Sequence, residues 1–257
     1  MYDFIFMCRK RKIMETFEKQ IIYGKNAVME ALRSDKEIDS LFVQKNASLG
    51  SIIDAAKKRG VLIKQVAEEK LTALTGTQKH GGVAVELCAG NYCEVEDILE
   101  NARQKGKPPF IIIADEIADP HNLGAIIRTA EAAGADGVII PKRRSASLNS
   151  TVFKTSAGAA AYVKVARVSN LVDTIKQLKK QGVWVYGMEA DGKPYDKVDF
   201  SGSVALVVGS EGFGLSRLVR ETCDMVVSLP MLGKVNSLNA SVSAGILMYE
   251  IVKYRTL

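Results

Sequence analysis

The sequence has little cysteine and less histidine. Its four cysteines, Cys8, Cys88, Cys93 and Cys223, form no Cys-x-x-Cys pair, and only His80 and His121 are there to supplement them. That argues against a structural zinc site, which gathers four such ligands at short spacings, so no metal is expected. Sparse, scattered thiols suit a reducing cytoplasm. Long hydrophobic runs are missing as well. Phe110 to Ala114 and Val204 to Val208 fall far short of the roughly 20 apolar residues of a membrane helix and read as buried strands, so no membrane partner is expected. A secretory signal is lacking too: Met1 to Met7 is apolar, but the basic run Arg9-Lys10-Arg11-Lys12 follows it instead of preceding it. Met14 is an alternative start, and residues 1–17 are read as an extension without ordered structure. There is no internal repeat and no low-complexity tract. Neither the G-x-G-x-x-G dinucleotide fingerprint nor a Walker lysine occurs, which weighs against a nucleotide-dependent oxidoreductase.

What is present is ordinary in bulk. Hydrophobic residues make up 47% and charged residues 25% of 257 positions, a globular composition with chain enough for one large domain or two modest ones. The formal charge of +6 favours a polyanionic partner, because each Lys or Arg meeting a phosphate releases condensed counterions. A basic protein with no such partner satisfies the same number. Charge permits here and does not diagnose.

Residues 18–88 alternate helical stretches (26–33, 49–59, 68–74) with short apolar strands (40–43, 61–66, 83–87), which makes a small α/β domain. Gly60 stands where a helix must stop before a strand, a place for positive φ. Residues 89–95 break the pattern and read as a linker. From 96 to 257, apolar strands at 110–114, 137–140, 163–168, 183–188, 204–208 and 225–229 are separated mostly by amphipathic helices. That pattern predicts an α/β domain with a mostly parallel sheet covered on both faces. Ligands in such sheets bind at loops leaving the carboxyl ends of strands, here Asp115–Asn122, Gly209–Ser216 and Pro230–Asn239.

Each loop has a plain reading and a chemical one. Asn122 can cap the helix that follows, and Arg128, about a turn and a half later, sits on either a polar face or a cleft. His121 reads as a turn residue, since no partner acid is identifiable. The glycines 209, 212 and 214 follow a strand, as in any tight turn, yet they also permit close backbone approach to a ligand. Glu211 is a lone acceptor among them. Ser237 and Asn239 can cap the last helix, but with Ser241 and Ser243 they make four small polar residues in seven, more than one cap needs.

Taken in order, these stretches resemble the SpoU, or TrmH-like, branch of the SPOUT RNA 2'-O-ribose methyltransferases. The family's N-x-G-x-x-x-R appears as Asn122, Gly124 and Arg128, and its G-x-E-x-x-G-L-S as Gly209, Glu211, Gly214, Leu215 and Ser216. The final S-L-N-x-S-x-x-A appears as Ser237, Leu238, Asn239, Ser241 and Ala244, and the stretch Lys154 to Ala159 is also family-like. The likeness covers essentially the whole second domain. It implies a deep C-terminal trefoil knot, an exception to the rule against knotted chains, and a homodimer with the active site near its interface. It also implies S-adenosylmethionine as methyl donor. The first domain is similar to the L30e-like substrate-binding domain of such enzymes, and the turn Thr75 to Val83 resembles the large-subunit rRNA guanosine subgroup.

By this resemblance the cofactor is held around Gly209, Glu211, Gly212, Leu229, Met231 and Leu238, and the catalytic set is Arg128, Asn122, Glu211, Ser237 and Asn239. A guanidinium with a pKa above about 12 makes a poor base. The expectation is therefore that Arg128 fixes the target phosphate and stabilises the developing alkoxide, with Glu211 and Asn122 orienting it. Ser237 and Asn239 would position ribose or cofactor. RNA contacts are expected at Lys79 and His80 in the first domain and at Lys142, Arg143 and Arg144 in the second; solvated loops are the plain alternative. The favoured substrate is a guanosine of 23S rRNA, because the simplest tRNA members lack the front domain. The rivals are a tRNA or rRNA-adenosine methyltransferase, and a non-catalytic RNA-binding or ribosome-assembly protein.

Overall fold

A computed structural model describes residues 20–45 and 47–255. The expected extension at residues 1–17, with Cys8 and both candidate starts, lies outside the described residues. The chain divides into two compact units, residues up to 91 and from 92 onward, with 147–150 grouping with the first.

The first unit runs β1 (Ile21–Tyr23), α1 (Lys25–Arg33), β2 (Ile38–Gln44), α2 (Gly50–Arg59), β3 (Leu62–Val66), α3 (Glu68–Thr75) and β4 (Val83–Leu87). Its sheet has the order β1-β4-β2-β3, with β2 parallel to β3 and β4 antiparallel to both β1 and β2. Period-2 alternation sorts the side chains. Leu41, Val43, Val83 and Val85 pack with Val28, Leu32, Ile52 and Ala56 on one face, while Phe42 and Ala84 meet Leu71 on the other. Each fully buried Leu or Ile there contributes about 1.5–3 kcal/mol relative to exposure. Gly60 ends α2 in the left-handed region, as its placement foretold.

The second unit contains α4 (Val95–Gln104), β5 (Phe110–Ala114), α5 (Pro120–Ala132), β6 (Gly137–Pro141) and β7 (Lys164–Val168), with the short α6 (Ser150–Thr155) between β6 and β7. Then come α7 (Leu171–Lys180), β8 (Trp184–Pro194), β9 (Val204–Val208), α8 (Arg217–Thr222), β10 (Met225–Ser228) and α9 (Ala240–Lys253). The six strands are ordered β10-β8-β9-β5-β6-β7, and every neighbouring pair is parallel. The α/β class and the parallel sheet are thus as expected. Ile111, Ile113, Ile139, Val185, Ala205 and Val207 form the core on one face with Ile98, Ile175 and Leu178 of the covering helices. From β5 the chain builds outward through β6 to β7, then crosses to the other side to lay down β8, β9 and β10. The switch in direction falls between β5 and β9, where open parallel sheets place their ligands.

Candidate active site

The strands β10, β8, β9 and β5 are neighbours and parallel, so their carboxyl ends meet along one edge of the second unit. What leaves those four ends builds the site.

After β5, Asp115 is 2% exposed; its amide donates to the Val208 carbonyl at 2.8 Å and its carboxylate accepts from the Ser216 amide at 2.7 Å. Burial pushes the Asp115 pKa above the ordinary carboxylate value, and the Ser216 hydrogen bond holds part of that rise back. Asp119, not Asn122, caps α5: it accepts from the His121 amide at 2.9 Å, with Pro120 in the first helical position where its fixed φ fits. The capping role open to Asn122 is therefore corrected. Asn122 lies inside the first turn, buried, and its amide oxygen accepts from Asn239 Nδ2 at 2.9 Å.

After β9, Ser210 and Gly214 exchange backbone hydrogen bonds at 3.0 and 2.9 Å, closing a tight turn that presents Glu211, Gly212 and Phe213. Gly209 has no room for a side chain, because a Cβ there would overlap the Gly214 backbone. Gly214 adopts φ +66°, and a Cβ on it would run into the Glu189 carboxylate. These two glycines are steric requirements of the turn.

After β10, the chain loops to α9, whose cap is Asn239. Its Oδ1 accepts from the amides of Ser241 at 2.9 Å and Val242 at 3.3 Å, and from the Ser241 hydroxyl at 2.6 Å. Its Nδ2 donates to Asn122 and, at 2.5 Å, to Glu211. One amide side chain thereby ties the three loops together.

The fourth wall was not anticipated. The strand expected to end at Met188 continues to Pro194, and its pairing with β10 jumps from Gly187↔Val226 to Lys193↔Val227, so residues 188–192 bulge outward. Glu189 on this bulge accepts from the Leu215 amide at 2.5 Å, and Asp191 pairs with Arg220 at 2.9 Å. The signal available in the sequence was positional: this strand, too, has a carboxyl end, and the loops leaving such ends are where open parallel sheets bind ligands.

The β8 bulge, the β9 loop and the β10 loop with the start of α9 enclose a cavity of about 510 Å³, within the range that holds small ligands, and the loop after β5 reaches it through Asn122, which bonds to Asn239. Gly209, Glu211, Gly212, Leu229, Met231 and Leu238, expected to hold the cofactor, all line it, as do Ser237 and Asn239. Asn122 stands behind Asn239. Arg128 does not line the cavity: it is exposed on α5, which packs against α9, and it makes no hydrogen bond or ion pair among the described residues. The expectation that Glu211 and Asn122 orient Arg128 is corrected by this geometry, because both converge on Asn239 instead.

Lys142, Arg143 and Arg144 are exposed after β6, with Arg144 paired to Glu116 at 3.1 Å. In the first unit Lys79 is exposed. His80 is corrected as an RNA contact: it is 2% exposed, its Nδ1 accepts from the Gly82 amide at 3.1 Å, and its Nε2 lies 3.3 Å from Thr72 Oγ1. It holds its own turn together. Desolvation raises the thiols of Cys93 to about 11 and Cys223 to about 12, so neither is a nucleophile at neutral pH. Among the described residues no cluster of His, Cys, Asp and Glu suits a metal, and no helix is long and apolar enough to cross a membrane.

Known proteins resemble this chain in sequence and in fold. The family model described as the SpoU rRNA Methylase family matches residues 109–249, and that for RNA 2'-O ribose methyltransferase substrate binding matches residues 21–93. A Bacillus subtilis relative, YacO, named as a TrmH family tRNA/rRNA methyltransferase, is 46% identical over 91% of this chain and 95% of its own length. An AdoMet-bound rRNA methyltransferase from Sinorhizobium meliloti shares the fold, with a TM-score of 0.58 at 24% identity over 95% of this chain and 94% of that one. A TrmH/SpoU tRNA modifying enzyme from A. aeolicus aligns with a TM-score of 0.54 at 28% identity, over 63% of this chain and 84% of that one. The chain belongs to the SpoU rRNA methylase family, the TrmH-like branch of the SPOUT RNA methyltransferases.

Proposed function

We propose that this protein transfers a methyl group from S-adenosylmethionine to a ribose 2'-hydroxyl of structured RNA, with a guanosine of 23S rRNA as the favoured target. The observation that carries the reading is Asn239, which joins Asn122 and Glu211 at the edge of a glycine-lined cavity. The cavity fits the methyl donor in kind. Backbone from the β9 and β10 loops suits adenine, Leu229, Met231 and Leu238 supply apolar walls, and the charged lining groups are carboxylates, which suit a cation.

The donor's sulfonium supplies an already electrophilic methyl group, so the protein has chiefly to place the hydroxyl and take charge of its proton. Arg128, which makes no hydrogen bond or ion pair among the described residues, meets the target phosphate and steadies negative charge growing on the ribose oxygen. Glu211 is exposed at the cavity and is the group assigned to accept the proton, with Asn239 fixing the direction of its carboxylate. Asn122 holds Asn239 in turn. Ser237 faces the cavity beside them and positions ribose or cofactor.

Several features fill out the reading. The β9 and β10 loops are the segments that would be threaded in a trefoil knot. Val242, Ile246 and Tyr249 form an exposed apolar stripe on α9, at 51, 41 and 51% exposure, and a second copy of the chain covers it in a homodimer. The front unit, as an L30e-like domain, selects the RNA. Its presence favours rRNA, because a solved structure named as an rRNA methyltransferase aligns with 95% of this chain and the tRNA-modifying enzyme with 63%, although the full-length relative from Bacillus subtilis is named for both RNAs. A tRNA substrate is the second reading. Thiols at Cys93 and Cys223 that are joined in no disulfide suit a cytoplasmic site of action.

The test is calorimetric titration with S-adenosylmethionine, followed by tritiated-methyl transfer to purified 23S rRNA and to bulk tRNA. Saturable binding with label in 23S rRNA supports the reading, and label in tRNA alone selects the second one. No saturable binding leaves only a non-catalytic RNA-binding protein.

A further inference from the structure

The chain carries a net charge of +6, yet among the described residues the cavity is lined by two carboxylates, Glu189 and Glu211, and by no lysine, arginine or histidine. Its sign is opposite to that of the molecule. We propose that Glu189 makes this cavity discriminate by charge, so that it holds the cationic methyl donor in preference to the neutral-sulfur product, S-adenosylhomocysteine. The inference rests on the proposed function.

Glu189 is the better placed of the two carboxylates. It is half-buried on the β8 bulge, where solvent screens it less than it screens exposed Glu211. Its Oε1 is fixed by the Leu215 amide at 2.5 Å, and Gly214 packs so closely against the carboxylate that a Cβ would overlap it. Glu211, by contrast, is already engaged by Asn239. Arg220 is near enough to Glu189 to feel its charge, but it is paired with Asp191 at 2.9 Å. A ligand filling a cavity of about 510 Å³ lies within a Debye length, about 8 Å at physiological ionic strength, of these groups.

Methyl transfer breaks the sulfur–methyl bond and leaves its electron pair on sulfur, while the ribose oxygen forms the new bond and its proton departs. The cofactor therefore loses one positive charge. A carboxylate that favoured the donor electrostatically no longer favours the product, and the product leaves more readily. For a half-buried charge screened on its open side, the effect amounts to about five- to tenfold in relative affinity.

The experiment is calorimetry on the full-length protein with S-adenosylmethionine, S-adenosylhomocysteine and sinefungin, an analogue with a protonated amine near the sulfonium position. Wild type is compared with Glu189→Gln, whose amide oxygen keeps an acceptor for Leu215, and with Glu189→Ala, which loses it. The expected result is that Glu189→Gln lowers the donor-to-product and sinefungin-to-product affinity ratios about five- to tenfold. Equal weakening of all three ligands by Glu189→Gln makes Glu189 a strut for the loop and overturns the inference. A second reading on wild type alone keeps the idea falsifiable if the variants misfold: raising salt from about 0.05 to about 0.5 M shrinks the donor-to-product ratio, and an unchanged ratio overturns the proposal. Failure of wild type to bind S-adenosylmethionine at all overturns the proposed function instead.

Discussion

Asn239 donates its amide to Asn122 at 2.9 Å across a separation of 117 residues, while the same side chain caps α9 through its oxygen. The two ends of one amide thus do different work, and substitution can separate them. Asn239→Asp keeps the capping acceptor but loses the donor and sets a second carboxylate against Glu211. We expect a melting temperature within a few degrees of wild type, from a loss of about 1 kcal/mol or less, with turnover reduced at least a hundredfold. Asn239→Ala loses the cap as well. Thermal melts beside single-turnover methylation distinguish the two variants.

Gly209→Ala tests the turn after β9. A methyl group there collides with Gly214 backbone, which is also part of the cavity wall. The expected outcome is loss of S-adenosylmethionine binding by calorimetry, with the first unit unaffected in hydrogen-exchange protection.

Arg128→Ala removes a side chain that is exposed and makes no bond within the described residues. Stability should move by no more than about 0.5 kcal/mol, whereas single-turnover methylation should fall a hundredfold or more. Arg128→Lys should recover little, since an ammonium lacks the planar fork that grips a phosphate. Near-full turnover in the lysine variant contradicts the role assigned to the guanidinium.

The basic residues separate by burial. His80→Ala should lower stability by about 1–3 kcal/mol, because it strands the Gly82 amide and the Thr72 hydroxyl. Lys142→Ala with Arg143→Ala should leave melting unchanged and weaken RNA binding. If both residues meet phosphates, the salt dependence of log K should flatten by about 1.4–1.8. Filter binding at several salt concentrations reads the slope.

Asp115 gives a pH dependence of known sign. Its pKa is raised in the folded protein, mainly by desolvation, so the native state binds its proton more readily than the unfolded chain. Its stabilising contribution is present below the unfolded carboxylate pKa and is lost as pH rises through the raised value. Asp115→Asn should flatten that part of the stability curve measured by urea melts across the acid range.

The parts of the fold that could be read from the sequence are those whose burial is complete and local. Phe110–Ala114 and Val204–Val208 are strands residue for residue, because unbroken apolar runs of five read as buried strand, and Val83–Leu87 is one too although Glu86 interrupts its apolar residues. Ile21–Tyr23 went unnoticed as a strand, since three half-exposed residues carry no period and are held only by pairing with β4. β8 was cut short at Met188 because Glu189 to Pro194 is polar, and only the register against β10 shows that the chain rejoins the sheet.

The candidate site was legible where its residues fall into fixed-spacing motifs, and the cavity gathers all six expected cofactor residues. Two of its carboxylates were not legible. Asp115 and Glu189 act on the backbone amides of Ser216 and Leu215, 101 and 26 residues away, and a backbone amide leaves no mark in a sequence. Asn122 was open to reading as a cap because Pro120, which fixes the true helix start after Asp119, was given only the weight of a turn residue.

The central claim, methyl transfer to a ribose oxygen of 23S rRNA, is tested most directly by chemical mapping of the product. RNA from a strain lacking the protein is incubated with the purified enzyme and tritiated S-adenosylmethionine, digested to nucleosides and resolved by chromatography. The account predicts label in 2'-O-methylguanosine from a single position of 23S rRNA. Label on a base, or none in any RNA, contradicts it.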